Sequence, residues 1–386
     1  MTPTLTLHDN PTTLDAAAWD ALLAACPTPT PFLRHAFLAA LHRSGSAVTR
    51  TGWQPVFMTL TAEDGTLAAA AALYLKSHSY GEYVFDWAWA EAWQRAGQRY
   101  YPKLLGAVPF TPVPGSRLLA RSDAARATLL QGIETFARDQ GLSSAHLLFL
   151  DDADRAAAQA QGWLLREGVQ FHWSNRTPEP YADFADFLAS LTRDKRKKVQ
   201  QERRYVREAG VTFDVLRGTE ITAADWDYFY QCYDTTYREH RSTPYLTRAF
   251  WAEVARTMPE HWLLFVARRA GERVAASLVA LDPAQRVAYG RYWGCTESVA
   301  HLHFAACYHE PLDWCVRERY VRFEGGAQGE HKMARGLLPV KTTSAHWLRH
   351  PGFADAVARF LDEETAGIEA YVGDLRERNP FRTREP

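Results

Sequence analysis

The chain has 386 residues, 47% of them apolar and 23% charged, with a formal net charge of −1. This length exceeds one ordinary core and suits two domains, and the composition is that of a soluble globular protein. The near-zero charge excludes a global field that recruits nucleic acid or anionic membrane, so any basic patch is local.

Residues 57–73 read as strand, turn, strand, with a charged glycine turn joining an apolar run to an alanine-rich one. The aromatic alternation of residues 83–87 predicts a third strand. A helix is expected around 91–95 and a strand over 103–108. Pro109, Pro112 and Pro114 stiffen the segment between Lys103 and Arg117. Residues 124–140 predict a helix, 146–150 a strand, 152–161 a helix with Asp152 as its cap, and 163–172 a strand. Pro178-Glu179-Pro180 marks a linker.

Residues 193–207 then form a strongly basic helix, with eight Lys or Arg against two acids. Gly210 supplies its stop signal, and a strand at 212–216 comes next. Residues 265–281 repeat the strand–turn–strand pattern, 288–293 an aromatic strand, 302–319 a helix and 321–324 a strand. The order strand, strand, strand, helix, strand therefore occurs twice. Helices feeding parallel strands imply an α/β (α+β) fold of two tandem domains, each a mixed twisted sheet flanked by helices. The boundaries expected are 1–177, a linker at 178–190, and 191–386.

Thirteen tryptophans predict aromatic cores or an aromatic-lined cleft. Cys26, Cys232, Cys295, Cys307 and Cys315 are scattered and form no CxxC pair, which favours reduced thiols in a cytoplasmic protein over disulfides or a metal site. No signal peptide is read at the N-terminus, and no window approaches the ~18 apolar residues of a membrane span.

The densest chemistry lies at residues 323–336, Phe-Glu-Gly-Gly-Ala-Gln-Gly-Glu-His-Lys-Met-Ala-Arg-Gly. Four glycines allow positive φ and close backbone approach. Between them stand a carboxylate, an amide, an imidazole, an ammonium and a guanidinium. Lys76-Ser77-His78-Ser79-Tyr80-Gly81-Glu82-Tyr83 carries a similar mixture.

These segments, with the basic run Lys195-Arg196-Lys197-Lys198 to Gly210, Val84-Phe85-Asp86-Trp87-Ala88-Trp89, Tyr100-Tyr101-Pro102-Lys103 and Arg291-Tyr292-Trp293-Gly294, carry a family resemblance. The chain resembles the FemAB-like branch of the GNAT acyltransferase superfamily, within it bacterial proteins described as peptidoglycan biosynthesis or recognition proteins. The resemblance covers about residues 31–350. It implies two GNAT-like domains with a substrate cleft between or beside them. It also implies transfer of an acyl or aminoacyl group to an amine acceptor, a small molecule or peptide such as a peptidoglycan precursor. The donor it implies is acyl-CoA or aminoacyl-tRNA. One departure bears on the donor. The usual pyrophosphate loop, Q/R-x-x-G-x-G/A, would fall at residues 293–302, which hold one glycine and an acid. Coenzyme A binding in the usual manner is thereby disfavoured.

Such a transfer needs a base, oxyanion donors and an acid for the leaving group. His331 is the first candidate base, Glu330 a second provided burial raises its pKa, and His78 a third. Lys332 and Arg335 are candidates for oxyanion or phosphate contacts. Lys76, Glu82, Tyr83, Asp86, Lys103, Arg291, Trp293 and Gln328 are candidate substrate contacts, with Tyr101 and Arg117 beside them. Lys195, Arg196 and Lys198 are candidate phosphate ligands, for a substrate diphosphate or a tRNA acceptor stem. Each taken singly also reads as a surface side chain, and Asp86 with Arg291 as a structural pair. The alternative to an enzyme is a non-catalytic module recognising a muropeptide, nucleotide-sugar or partner protein. No metal site is expected, and the oligomeric state is left open.

Overall fold

The structure, a computed structural model, describes residues 3–327 and 329–382. The chain divides into two compact units: Met1–Gly168 with Tyr245–Phe250 and Lys341–Ala370, and Val169–Pro244 with Trp251–Val340 and Tyr371–Pro386.

The elements of the first unit begin with β1 (Thr4–His8), α1 (Ala16–Ala24), α2 (His35–Arg43), β2 (Trp53–Pro55), β3 (Phe57–Thr61), β4 (Leu67–Ala71) and β5 (Leu73–Lys76). Then come α3 (Trp87–Arg95), β6 (Lys103–Gly106), β7 (Leu119–Ala120), α4 (Asp123–Asp139), β8 (Ser144–Leu150) and α5 (Asp152–Ala160). The predicted first hairpin forms, β3 against β4, in a small antiparallel sheet of order β1-β3-β4-β7. A second sheet pairs β2 with β5 and β5 with β6, both antiparallel, then β6 with β8 in parallel. The connection from β6 to β8 carries α4, whose Leu129, Leu130 and Ile133 are fully buried against Leu73, Leu104 and Leu147.

The chain continues through β9 (Leu164–Ser174), α6 (Phe184–Ser190), the basic helix α7 (Arg193–Glu208), β10 (Val211–Arg217), α8 (Ala223–Glu239) and α9 (Arg248–Thr257). Next come β11 (Trp262–Arg269), β12 (Glu272–Asp282) and β13 (Val287–Cys295). Helix α10 (Leu302–Phe304) widens into a π-turn over Ala305–His309 and resumes as α11 (Glu310–Arg317), leading to β14 (Arg322–Ala327). β15 (Leu338–Leu348), antiparallel to β8, and α12 (Pro351–Glu377) complete the order. In the second unit the strand order is β10-β11-β12-β13-β14-β9, antiparallel except for β13 beside β14. Both units are therefore mixed sheets flanked by helices, each with one parallel pair reached by a helical crossover.

Trp19, Trp53, Trp173, Trp251 and Trp262 are among the largest fully buried side chains. Much of the tryptophan content thus serves cores. Trp251 packs on Trp226 and Trp262 with ring centroids 5.9 and 5.7 Å away. All five cysteines are free thiols. No helix among the described residues is long and apolar enough to cross a membrane.

Three expectations need correction. Residues 83–86 form no strand and Trp87 opens α3. Tyr83 takes φ 64° after Gly81 at φ 80°, and Glu82 and Asp86 both close on the one Lys103 ammonium, whereas a strand would hold those two positions about 13 Å apart. The first-half crossover is consequently α4 rather than the helix near 91–95. Asp151, not Asp152, caps α5, accepting from the Asp154 amide. Gly210 does end α7, at φ 75°.

Candidate active site

In the second unit β13 and β14 pair only from Val287–Arg322 to Tyr289–Glu324. Beyond that point the parallel strands part and leave a slot of about 140 Å³, lined by Ser277, Arg291, Trp293, His303, Cys307 and Tyr308 among others. Glycine is required at its root. A Cβ on Gly290 would lie 2.9 Å from the Phe323 ring, and one on Gly325 would lie 2.5 Å from Leu337 and 2.9 Å from the Phe171 carbonyl. The π-turn contributes Cys307 and Tyr308 to the floor. Such single-turn widenings are often found at functional sites.

The loop past β14 returns to this slot. Gly329 at φ 91° and Gly336 at φ 85° bracket a short helical turn, Glu330–Arg335. The His331 Nε2 lies 3.3 Å from the Tyr308 hydroxyl, and its ring packs beside Phe304 and His303. Although the His331 side chain is exposed, desolvation of its ring, then the charges of Arg335, Lys332 and Lys198, hold its pKa below the ordinary value. The ring is therefore a neutral base near pH 7. Burial likewise brings His303 to about 4. Lys332 is buried, donates to the Gly325 carbonyl at 2.6 Å, and is lowered by burial to about 8.

Other loop candidates are placed differently. Glu330 is exposed and pairs with Arg378 at 3.0 Å, so the burial required of a carboxylate base is not present. Arg335 is 1% exposed and engaged by Glu202 and by the His331 carbonyl. Gln328 lies outside the described residues. Arg291 reaches the Tyr292 hydroxyl at 3.2 Å, and Trp293 packs edge-on to His303.

On α7, Lys195 and Arg196 are half-buried and Lys198 exposed. No side chain of the three makes a hydrogen bond or ion pair among the described residues, whereas Arg203 is held by Asp313 at 3.2 Å and Glu310 at 3.4 Å. Lys198 is close enough for its charge to act on His331. Sequence reasoning missed Glu202, which is buried on the same helix. The signal that marks it is spacing: Lys195, Val199, Glu202 and Val206 fall on one stripe, of which Val199 and Val206 are the apolar seam.

A second cluster lies wholly in the first unit. The Lys103 ammonium, 0% exposed, donates to Ser79 at 2.8 Å, to Glu82 at 2.7 Å and to Asp86. The Tyr100 hydroxyl donates to Asp86 at 2.6 Å and lies 3.2 Å from His146. Burial pushes Glu82 up to about 7. Burial also opposes ionisation of Asp86, but Lys103 outweighs it and holds that carboxyl well below the usual range. Lys76 sits 3.7 Å above the Trp53 ring, donates to the Tyr80 carbonyl at 3.3 Å, and is lowered by burial to about 7. His78 is bonded through both ring nitrogens, to the Thr51 carbonyl and from the Tyr80 amide, which leaves no free lone pair for a base in this arrangement. Tyr83 is half-buried, and Tyr101 bonds Ser79 at 2.8 Å. Arg117 is spent on the backbone carbonyls of Leu148 and Val113. Asp86 pairs with Lys103 rather than with Arg291.

The structure thus gathers Lys76, His78, Glu82, Asp86 and Lys103 in one unit. It gathers Arg291, Trp293, His331, Lys332, Arg335 and the α7 cations in the other. The segment 293–302, expected to be a poor pyrophosphate loop, is tied by its side chains: Glu297 pairs with Arg269, and His301 stacks on Tyr205.

Comparison with known proteins gives the family and the fold. A family model named FemAB-like, described as peptidoglycan biosynthesis/recognition, matches residues 10–383. Among solved structures, FemX is similar over 93% of this chain and 100% of its own, with TM-score 0.57 and 11% identity. L-PGS from Bacillus licheniformis is similar over 90% of this chain and 97% of its own, with TM-score 0.55 and 12% identity. The C-terminal domain of a putative lysylphosphatidylglycerol synthetase from Agrobacterium fabrum is similar over 84% of this chain and 90% of its own, with TM-score 0.54 and 10% identity. At these identities the likeness is one of fold. No curated protein sequence matches the chain significantly.

Proposed function

Because the chain belongs to the FemAB-like family, we propose that it is an acyl- or aminoacyltransferase acting on an amine, with a peptidoglycan precursor or a related small molecule as acceptor. The observation that carries this reading is the parted pair β13/β14 with a neutral imidazole and a buried ammonium on the loop beside it. A narrow slot suits an extended acyl arm and leaves its carbonyl at the opening.

In this reading the acceptor nitrogen attacks that carbonyl carbon, a C–N bond forms, and the bond to the donor's oxygen or sulfur breaks. His331 takes the proton released by the nitrogen and returns it to the leaving group. Lys332, charged below about pH 8, stabilises the oxyanion. Lys195, Arg196 and Lys198 receive donor phosphates. Lys198 lies one helical turn, about 6 Å along the axis, from Glu202, which contacts the loop through Arg335. That short span suits a donor whose phosphate is a few bonds from its acyl ester, as in aminoacyl-tRNA, better than one separated by the pantetheine arm of an acyl-CoA. Both donors are cytoplasmic, and we place the protein there.

A second reading, a non-catalytic module binding a muropeptide, nucleotide-sugar or partner protein, draws on the first unit, where Lys103 already engages one oxygen each of Glu82 and Asp86. Incubation with labelled charged tRNA or labelled acetyl-CoA and a panel of amines separates the two. Label in the amine supports transfer. Tight binding of a muropeptide with no label transferred from either donor supports the module.

A further inference from the structure

Arg335 joins three elements of the second unit. One terminal nitrogen donates to Glu202 of α7 at 2.5 Å, the other to the His331 carbonyl at 2.6 Å, and the guanidinium lies 3.7 Å from the centre of the Phe304 ring. Glu202 is 3% exposed in a helix whose other charges largely face water. Its second oxygen lies 3.2 Å from His309 Nε2, in the π-turn. One carboxylate is thus in reach of the basic helix, the transfer loop and the floor of the slot.

We propose that Glu202 is a positioning residue for the transfer step, acting through Arg335 to hold the backbone of His331 and Lys332 against the slot. The reason lies in how the loop is built. Its two glycine ends, at positive φ, give it little intrinsic stiffness. The Arg335 fork supplies what the backbone lacks, since a planar guanidinium bonded at both terminal nitrogens fixes direction as well as distance. Without the carboxylate, the guanidinium stays buried without its counter-charge and has reason to swing outward, taking the His331 carbonyl with it. The same displacement moves Lys332, whose ammonium is aligned by the Gly325 carbonyl. Small misplacements of reacting groups are costly, on the order of 10²-fold per ångström.

The inference rests on the transfer reading, but its test does not need turnover. The charged or titrating groups acting on His331 are Lys332 and Arg335 from its own loop and Lys198 and Glu202 from α7. From the helix below they are His303 and Tyr308. Of these, Glu202 raises the His331 pKa and the three cations lower it. In the full chain with Glu202→Gln, nuclear magnetic resonance should show the His331 backbone amide resonance shifted, and the ring's titration midpoint lowered if only the Glu202 charge is lost and raised if Arg335 also swings away. Arg335→Lys keeps the charge but loses the fork. Its midpoint should stay near the native one while the His331 backbone amide resonance shifts.

With charged tRNA or acetyl-CoA as donor, both variants should lose kcat by about 10-fold or more with donor KM within about twofold, the split expected when alignment rather than binding is lost. A native His331 amide resonance in folded Glu202→Gln, or native kcat in both variants, would overturn the proposal. If Glu202→Gln does not fold, Arg335→Lys decides by its amide shift and kcat. If the native protein turns over neither donor yet the amide shifts occur, the transfer reading falls and the Glu202 anchor of the loop stands.

Discussion

Lys103 and Glu82 form an ion pair of 2.7 Å with essentially no solvent contact, and Asp86 closes on the same ammonium. One cation therefore serves two buried carboxyl groups and pins the segment from Ser79 to Asp86. Replacing Lys103 by Met should destabilise the protein by about 3–5 kcal/mol, because both acids remain buried without their partner. The triple change Lys103→Met, Glu82→Gln, Asp86→Asn should recover part of that loss. Urea unfolding checks both, and a near-native Lys103→Met would show that the cluster carries little stability.

The pH dependence of transfer is set by the loop. His331 must be neutral to accept a proton, so activity rises as pH increases through its pKa, which lies below the ordinary histidine value. Lys332 must be charged, so activity falls as pH rises through about 8. A bell with those two limbs is expected. His331→Asn should lower kcat by roughly 10²–10⁴-fold and remove the acid limb, and Lys332→Met should remove the alkaline one. Native limbs in both variants would reassign both roles.

Phosphate capture by α7 predicts a salt signature. Lys195→Glu and Lys198→Glu should each raise donor KM and flatten its dependence on salt by roughly one unit of slope per lost contact. The kcat of Lys195→Glu should stay near native, because Lys195 neither touches the acyl carbon in this reading nor is among the charges that act on His331. An unchanged salt slope would remove α7 from donor binding.

Close packing behind the slot predicts a stability effect unrelated to charge. A Cβ on Gly294 would lie 2.0 Å from the Cys232 carbonyl of α8. Gly294→Ala should therefore push β13 from α8 and cost about 1–3 kcal/mol. A Cβ on Gly367, within α12, would meet nothing within 4 Å, so Gly367→Ala should stabilise by up to about 1 kcal/mol. Thermal melts of the two variants should move in opposite directions.

Much of the fold was legible because its signals are local. The glycine-turn hairpins, the basic helix stopped at Gly210 and the second-half crossover helix between parallel strands each arise from short-range pattern. Residues 83–87 were not, since their aromatic alternation fits a strand and only the distant Lys103 draws Glu82 and Asp86 together onto one ammonium. The loop at 323–336 announced its chemistry but not its partners. Glu330 pairs with Arg378, 48 residues on, and Arg335 with Glu202, 133 residues back. Glu202 itself was hidden by the surrounding cations, although its spacing from Val199 and Val206 marks it as inward-facing.

Mass spectrometry of an amine-bearing muropeptide, incubated separately with charged tRNA and with acetyl-CoA, tests transfer most directly. The native protein should add one aminoacyl or acyl unit to the amine, and the folded double variant His331→Asn, Lys332→Met should add none. No mass gain with the native protein, although donor and acceptor bind, or an equal gain with the double variant, would contradict the role given to this loop.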